Sequence, residues 1–310
     1  MDKKRNIHLS GIGDAVMCEL AIAMEQAGHQ VSTSELSAPG SLLNENLQEA
    51  GLLPSPGWNP DKVTKSLDAL IISPAIKRDN PELNRALELN IPVLSYAEFI
   101  QDVCKDKHRV VVTGSYGKTM VTVLILHVLT FHNRKFDFVI AKEIPGLKHS
   151  IRLSDAPLVI IEGQDALAST LDPTAIFLKY KHHIGLISGV EWIQSADYPT
   201  KTEYTKQFSQ FETSTPKGGV LIYFDLEPVV TVLAKVNKPD ILYIPYKTHA
   251  SSNEGGQEFL VESSTEKHPL KLTGKHNLQN ISAAKEAVKR LGITSSMFYE
   301  AIQSFGGKTI

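Results

Sequence analysis

The chain has 310 residues, enough for two domains of ordinary size, each with its own hydrophobic core. Its 32 basic and 34 acidic residues give a net charge of −2, and the lysines are scattered, which excludes an electrostatic footprint for nucleic acid or an anionic membrane. Because the cysteines Cys18 and Cys104 lack zinc-type spacing, and neither a run of 18 apolar residues nor a secretory signal occurs, we expect a soluble cytoplasmic protein with buried thiols.

Short apolar strands alternate with helices in the first hundred residues. Strands are predicted at residues 7–16, 31–35, 68–76 and 92–96, and helices at 17–27 and 78–89. This alternation is typical of an α/β domain with a parallel, doubly wound, Rossmann-like sheet. The charged segment 105–108 follows, so we place a domain boundary there and predict a first domain at 1–104 and a second at 105–310.

The first strand is broken by Gly11 and Gly13, and the acid Glu35 ends the second strand about 20 residues later. These features make up most of a dinucleotide-binding fingerprint, but Val16 occupies its third glycine position. Many α/β domains begin this way only to turn tightly. NAD binding therefore remains the less favoured of two open interpretations.

The segment 109–119 predicts a phosphate-binding loop. An apolar strand leads to Gly114-Ser115-Tyr116-Gly117-Lys118-Thr119, and a helical run follows at 121–129. Glycines there let backbone N–H groups face phosphate oxygens, while the lysine reaches the β/γ-phosphates and the threonine hydroxyl binds Mg²⁺. Val112 stands where the longer pattern has its first glycine, so a simple glycine-rich turn is the alternative.

Alternation continues beyond the loop. Strands are predicted at 136–141, 157–162, 175–178, 184–189, 220–224 and 241–244, helices at 203–211, 277–291 and 295–305, and a flexible turn at 251–256. Glu162 ends a predicted strand, where parallel sheets place metal ligands. An exposed strand-end acid is the alternative. Asn277 and Asn280 lie at the start of a predicted helix. They either cap this helix or present their side-chain amides to a nucleotide base.

Together these segments resemble the Mur ligases, the ATP-dependent amino-acid and peptide ligases of peptidoglycan synthesis. The resemblance spans nearly the whole chain and depends on the order and spacing of Gly11-Ile-Gly13, residues 73–82, residues 113–119, Glu162 and residues 274–280. The chain looks most like the branch that joins L-alanine, or a recycled murein tripeptide, to UDP-N-acetylmuramate. Segments 153–157 and 198–204 favour the recycling type.

The resemblance implies a role for each motif. It implies UDP-sugar binding by Gly11, Ile12, Gly13, Glu35, Ser73, Pro74, Ala75 and Ile76, and ATP binding by residues 114–119 with His276, Asn277 and Asn280 near the adenine. Lys118 would contact phosphate, and Thr119 and Glu162 would hold Mg²⁺. The implied partners are UDP-N-acetylmuramate and an amino acid or murein peptide, joined through an acyl phosphate, with no nucleic acid or membrane involved.

Three departures from the family pattern weaken the catalytic interpretation. A second metal region falls on Ile193 and Gln194, which are poor Mg²⁺ ligands. The acidic cluster after Glu162 has one acid fewer, and Met120-Val121 replaces threonines. The chain also stops at Ile310, about where a third, amine-binding domain is expected to begin. We therefore weigh a ligase against a homologue that binds UDP-sugar or nucleotide in a regulatory or scaffolding role.

Overall fold

The computed structural model describes residues 4–35, 41–234 and 238–306. Within these ranges the strands, in chain order, are β1 (Asn6–Ser10), β2 (Gln30–Ser34), β3 (Ala69–Ile72), β4 (Val93–Ser95), β5 (His108–Thr113), β6 (Asp137–Val139), β7 (Ile151–Arg152), β8 (Leu158–Glu162), β9 (Ile184–Ile187), β10 (Val220–Phe224), β11 (Leu242–Tyr246), β12 (Ser251–Glu254), β13 (Gln257–Val261) and β14 (Lys267–Leu270). The α-helices are α1 (Ala15–Gln26), α2 (Ser41–Glu49), α3 (Pro81–Glu88), α4 (Tyr96–Val103), α5 (Lys118–Phe131), α6 (Ile176–Lys179), α7 (Lys201–Thr213), α8 (Pro228–Ala234), α9 (Lys275–Lys289) and α10 (Ser295–Ile302). The predictions about the two chain ends concern residues 1–3 and 307–310, which lie outside the described residues.

The first sheet has the strand order β2-β1-β3-β4, and every neighbouring pair is parallel. Helix α1 connects β1 to β2 and buries residues 16–24. A short 3-10 helix (Pro60–Lys62) precedes β3. The α/β prediction for this part of the chain is confirmed.

The second sheet has the order β11-β10-β9-β5-β8-β6-β7, in which only β7 runs antiparallel to its neighbour. Strand β5 lies between β9 and β8, and these three strands are almost wholly buried because the sheet is covered on both faces. Their carboxyl ends therefore meet at one place, where such sheets bind ligands.

A third, antiparallel sheet, β12-β13-β14, follows the second. The flexible turn predicted at 251–256 is wrong over its first four residues, which form β12. The turn is confined to Gly255 and Gly256, whose φ angles of 60° and 89° suit a two-residue hairpin. The polar composition of β12 hid this strand, since three of its four residues are exposed and no apolar residue marks a buried face.

The strand predicted at 175–178 is also wrong, because Ile176–Lys179 forms the short helix α6. Ile176 and Phe177 are buried as expected, but periodicity alone cannot separate a short buried strand from one helical turn. Helices α2, α4 and α8 were not predicted. The capping box formed by Ser95 and Glu98 is the signal that could have located α4.

Apolar side chains on one face of the first sheet and one face of the second sheet belong to a single cluster, while the opposite faces pack into two other clusters. The single cluster contains Ile7 and Leu9 from β1 as well as Val111 from β5 and Ile161 from β8. The predicted burial of both thiols is confirmed, since Cys18 and Cys104 are free and buried. Within the part of the chain that the structure describes, no helix has the length and apolar character needed to cross a membrane.

Candidate functional site

The loop that joins β5 to α5 is closely packed against neighbouring segments and depends on two glycines. Gly114 (φ 133°) and Gly117 (φ 79°) adopt backbone conformations that residues with side chains rarely take. A Cβ on Gly114 would lie 2.5 Å from Ser188 Oγ and 2.8 Å from the Gly189 carbonyl oxygen. Gly117 is also the N-cap of α5, so the positive end of the helix dipole faces the loop. This geometry suits a phosphate group.

We expect Gly114→Ala to lower nucleotide affinity at least about tenfold, because the added methyl collides with backbone and forces the loop to move. Gly292→Ala is the matched control, since Gly292 has a φ of 80° but no heavy atom within 4 Å of its Cβ position. Titration with a fluorescent ATP analogue measures both variants. Wild-type affinity in Gly114→Ala would show that close approach to this loop is not needed.

Lys118, the first residue of α5, folds back over the loop. Its Nζ donates to the Gly114 carbonyl oxygen at 2.6 Å and forms an ion pair with Asp165 at 3.3 Å. A phosphate bound by the loop would meet this ammonium directly. Asp165, which the sequence indicated only as part of a reduced acidic cluster, supplies its counter-charge.

Thr119 and Glu162, the two predicted metal ligands, are in direct contact. Thr119 Oγ1 donates to Glu162 Oε1, and the backbone N–H of Ala141 donates to Glu162 Oε2 at 3.0 Å. Glu162 ends β8 beside β5, so adjacent strands bring the carboxylate to the loop. A hydroxyl and a carboxylate are oxygen donors of the kind that Mg²⁺ prefers.

Residues 115–119 of the predicted phosphate loop and Glu162 line one cleft of about 890 Å³, which we call the nucleotide cleft. Its walls include residues 115–120, residues 141–145, Glu162 and Asp165. Among the described residues, no three His, Cys, Asp or Glu side chains form a group that could hold a metal ion. A bound Mg²⁺ would therefore take its other ligands from phosphate oxygens and water.

A hydrogen-bond network that the sequence did not reveal supports the loop from α7. The Tyr204 hydroxyl donates to Asp165 Oδ2 at 2.8 Å and lies 2.7 Å from Ser115 Oγ. The Tyr198 hydroxyl donates to the Asp165 carbonyl oxygen at 2.5 Å. Burial raises the pKa of Tyr204 far above 10, so the hydroxyl remains a donor at neutral pH. Asp165 is thus held by two tyrosines while it contacts Lys118.

The start of α9 lies against the same loop. A Cβ on Gly117 would lie 2.5 Å from Asn280 Oδ1, and the His276 ring meets the Tyr116 ring edge to face with centroids 6.5 Å apart. Asn277 instead donates its side-chain amide to the Thr273 carbonyl oxygen at 2.7 Å. The structure therefore brings His276 and Asn280 to the loop, while Asn277 contributes to the helix start.

The two residues at which the resemblance implies a second metal region, Ile193 and Gln194, face solvent. Ile193 is 79% exposed, and Gln194 is exposed beside it. Trp192 holds this segment by donating its Nε1–H to the Tyr198 carbonyl oxygen at 3.1 Å. Neither of these two side chains offers an anionic oxygen, so neither is a good Mg²⁺ ligand.

The predicted UDP-sugar residues gather at the carboxyl end of the first sheet. A Cβ on Gly11 would lie 3.0 Å from Ile76 Cδ1 and 3.2 Å from Ser73 Cβ, and one on Gly13 would lie 2.8 Å from Glu35 Oε2. The two predicted segments and the acid are therefore neighbours.

The predicted UDP-sugar residues differ in how far they are exposed to solvent. The backbone N–H groups of Gly11 and Ile12 both donate to the Ser34 carbonyl oxygen, at 3.0 Å and 3.3 Å. The side chains of Ile12 and Ile76 are buried, whereas Gly13 and Ala75 are exposed and Pro74 is half-buried. A ligand at this turn would thus contact mainly Gly13 and the exposed part of the 73–76 turn.

Glu82 holds this end of the sheet together, although the sequence marked it only as the last residue of a motif. Its carboxylate accepts from Ser10 Oγ at 2.5 Å, from Ser34 Oγ at 2.5 Å and from the Asn59 N–H at 2.6 Å. Burial by itself would raise the pKa of this carboxyl, but hydrogen bonds from His8, Ser10, Ser34 and Asn59 lower it to about 2. Ser10 and Ser34 end β1 and β2, so Glu82 fixes the strands that lead into the glycine turn.

The chain is similar in sequence to Mur ligases. A family model described as "Mur ligase family, catalytic domain" matches residues 6–108. The UDP-N-acetylmuramate–L-alanine ligase of Dictyoglomus turgidum is 28% identical over 98% of this chain and 65% of its own length. The enzyme of the same name from Desulfatibacillum aliphaticivorans is 26% identical over 98% of this chain and 67% of its own length. The chain thus spans about two thirds of the length of these relatives.

Comparison with solved structures gives the same fold. A UDP-N-acetylmuramate:L-alanyl-gamma-D-glutamyl-meso-diaminopimelate ligase from Neisseria meningitides is similar with a TM-score of 0.87 at 19% identity, covering 98% of both chains. A UDP-N-acetylmuramate-alanine ligase from Thermotoga maritima is similar with a TM-score of 0.75 at 20% identity, covering 97% of this chain and 68% of that one. At these identities the likeness establishes the fold alone, with a Rossmann-like first sheet followed by the second sheet.

Proposed function

We propose that this chain, which is related to the Mur ligases in sequence and fold, is part of an ATP-dependent ligase of peptidoglycan synthesis or recycling. Residues 1–104 would bind UDP-N-acetylmuramate, and residues 105–310 would bind ATP. The reaction would join an amino acid or an L-alanine-led murein peptide to the muramic-acid carboxylate. This assignment would account for both ligand-facing turns of the chain.

The observation that carries the proposal is the convergence of Lys118, Thr119 and Glu162 on the nucleotide cleft. A phosphate loop alone would be consistent with many nucleotide-binding proteins. The contact of the strand-end carboxylate with the loop threonine supports a place for Mg²⁺, and the glycine turn of the first sheet would provide a second ligand site. An ATP-dependent joining reaction would use both the nucleotide site and the second ligand site.

The chemistry would proceed in two displacements. The muramic-acid carboxylate would attack the γ-phosphorus of ATP, releasing ADP and forming an acyl phosphate. The incoming amine would then attack the acyl carbon, forming the amide and releasing phosphate. Lys118 would hold the phosphates and stabilise their charge, and the loop amides would orient them for in-line attack. Thr119 and Glu162 would hold Mg²⁺, which when bound neutralises phosphate charge.

The test is ATP-dependent phosphate release by the full-length protein with UDP-N-acetylmuramate and either L-alanine or the tripeptide L-alanyl-γ-D-glutamyl-meso-diaminopimelate. We expect release that requires the sugar nucleotide and one of the two amines. Omission of each substrate in turn is the control. Nucleotide binding without release with either amine would contradict the ligase assignment.

A second candidate, a homologue that binds nucleotide without turnover, is favoured by one observation, the exposed Ile193 and Gln194. If these replacements limit catalysis, Ile193→Asp combined with Gln194→His should raise Mg²⁺-dependent phosphate release at least about tenfold, because it restores a carboxylate and an imidazole. Ile193→Leu is the control, since it adds no metal ligand. Unchanged release in the double variant would show that this segment does not limit the reaction.

A further inference from the structure

Glu19 is a buried carboxylate on an otherwise apolar part of α1. It is 2% exposed and lies among Cys18, Leu20 and other buried residues of the helix. Burial raises the pKa of this carboxyl, while its contacts with His149 and Ser150 oppose the rise. A leucine would pack the helix without desolvating a charge. The presence of a carboxylate is therefore better explained by what it binds than by the packing of α1.

Both contacts of Glu19 lie at one end of residues 141–150, which we call the bridging loop. Glu19 Oε2 accepts from the Ser150 N–H at 3.1 Å and lies 3.2 Å from His149 Nδ1. The other end of the loop is fixed where the Ala141 N–H donates to Glu162 at 3.0 Å. The bridging loop is thus held by the candidate metal ligand at one end and by Glu19 at the other.

The middle of the bridging loop forms a wall between two spaces. Glu143, Ile144 and Pro145 line the nucleotide cleft and also a neighbouring cavity of about 400 Å³. Glu19 and Asn46 line that second cavity. A displacement of the loop therefore changes the shape of the nucleotide cleft and of the cavity beside α1 at the same time.

Helix α1 connects this wall to the glycine turn of the first sheet. It begins directly after Gly13, with Asp14 as its N-cap accepting from the Met17 N–H at 2.9 Å. Glu19 lies five residues beyond this cap, a rise of about 7 Å along a helix axis. A ligand that shifts the glycine turn would thus move the side chain that holds the bridging loop.

We propose that Glu19 is a positioning residue that sets the bridging loop against the nucleotide cleft and couples nucleotide binding to ligand binding at the Gly11–Gly13 turn. The coupling depends on the proposed nucleotide and UDP-sugar sites. The positioning of the loop does not, because both hydrogen-bond partners of Glu19 belong to the protein itself.

The first test needs no ligand. Hydrogen exchange of the amides at 142–150 is measured for the wild type, Glu19→Leu and Glu19→Gln. We expect exchange at Ser150 and its neighbours to rise at least about tenfold in Glu19→Leu, more than at amides elsewhere in the chain, because the buried Ser150 N–H loses its acceptor. Glu19→Gln keeps an acceptor oxygen and should restore protection. Glu25→Leu, at an exposed position on the same helix, is the matched control.

The second test measures ATP affinity with and without saturating UDP-N-acetylmuramate. We expect the sugar nucleotide to change wild-type ATP affinity about fivefold, and this change to vanish in Glu19→Leu but not in Glu25→Leu. Equal coupling in Glu19→Leu and the wild type, or no coupling in a wild type that binds both ligands, would overturn the inference. If the wild type binds no ATP, the proposed function is overturned instead. If hydrogen exchange of the bridging loop is unchanged in Glu19→Leu, the positioning role is overturned.

Discussion

Lys118→Met should lower ATP-dependent phosphate release by about 10²- to 10³-fold, because it removes the one charged side chain of residues 114–119, which would stabilise the transferred phosphoryl group under the proposed function. The ammonium lies between the Gly114 carbonyl oxygen and Asp165, inside the space that phosphates would occupy. Methionine keeps the length of the side chain and its packing along the loop. The expected loss is therefore one of charge rather than of structure.

Lys142→Met is the matched control for this variant. Lys142 lines the same nucleotide cleft but is exposed and comes from the bridging loop rather than from the phosphate loop. Steady-state phosphate release and ATP titration are measured for both variants beside the wild type. Equal losses in the two variants would mean that cleft charge in general, rather than the position of Lys118, determines phosphate chemistry.

Glu82→Gln should make the free energy of unfolding depend less strongly on pH in the acid range. The folded-state pKa of Glu82 is about 2, below its usual value of 4.5, so its carboxylate stabilises the fold above pH 4.5 and this contribution is lost as the pH falls towards 2. The contribution is between about 3 and 4 kcal/mol, since the pKa falls from 4.5 to about 2 and each pKa unit corresponds to about 1.4 kcal/mol. We expect Glu82→Gln to be less stable than the wild type at pH 7 and to lose less stability than the wild type between pH 5 and pH 3.

Urea denaturation at a series of pH values measures this effect. Glu88→Gln is the control, because Glu88 lies on the same helix, α3, but is exposed. It should lose stability with falling pH in parallel with the wild type, since other carboxylates titrate equally in both proteins. Parallel curves for Glu82→Gln and the wild type would show that the hydrogen bonds of Glu82 do not lower its pKa.

The parts of the fold that were predicted from the sequence have strong local signals. Buried parallel strands appear as short apolar runs, and α5 and α9 have helical spacing that begins at a glycine. The two wrong assignments, at 175–178 and 251–256, concern short elements whose local pattern is ambiguous. The secondary structure of those segments depends on how they pack against the rest of the molecule, and the local sequence pattern does not determine it.

In the candidate site, too, some residues could be predicted from local sequence and others could not. The sequence identified Lys118, Thr119 and Glu162 because glycine spacing and a strand end indicate phosphate and metal chemistry. It did not indicate that Asp165 pairs with Lys118, or that Tyr204 holds Asp165. Neither tyrosine nor aspartate has a distinctive spacing, so only the folded arrangement of α7 against the loop reveals their role.

By itself, the sequence determined the α/β class and the positions of the two glycine turns, at residues 11–13 and 114–117, because glycine conformation and apolar periodicity act over a few residues. The tertiary structure alone decided which side chains hold these turns in place. Lys118 meets Asp165 across 47 residues, Ser10 meets Glu82 across 72, and Ser150 meets Glu19 across 131. Contacts of this range depend on how the sheets and helices pack, and no local pattern in the chain encodes them.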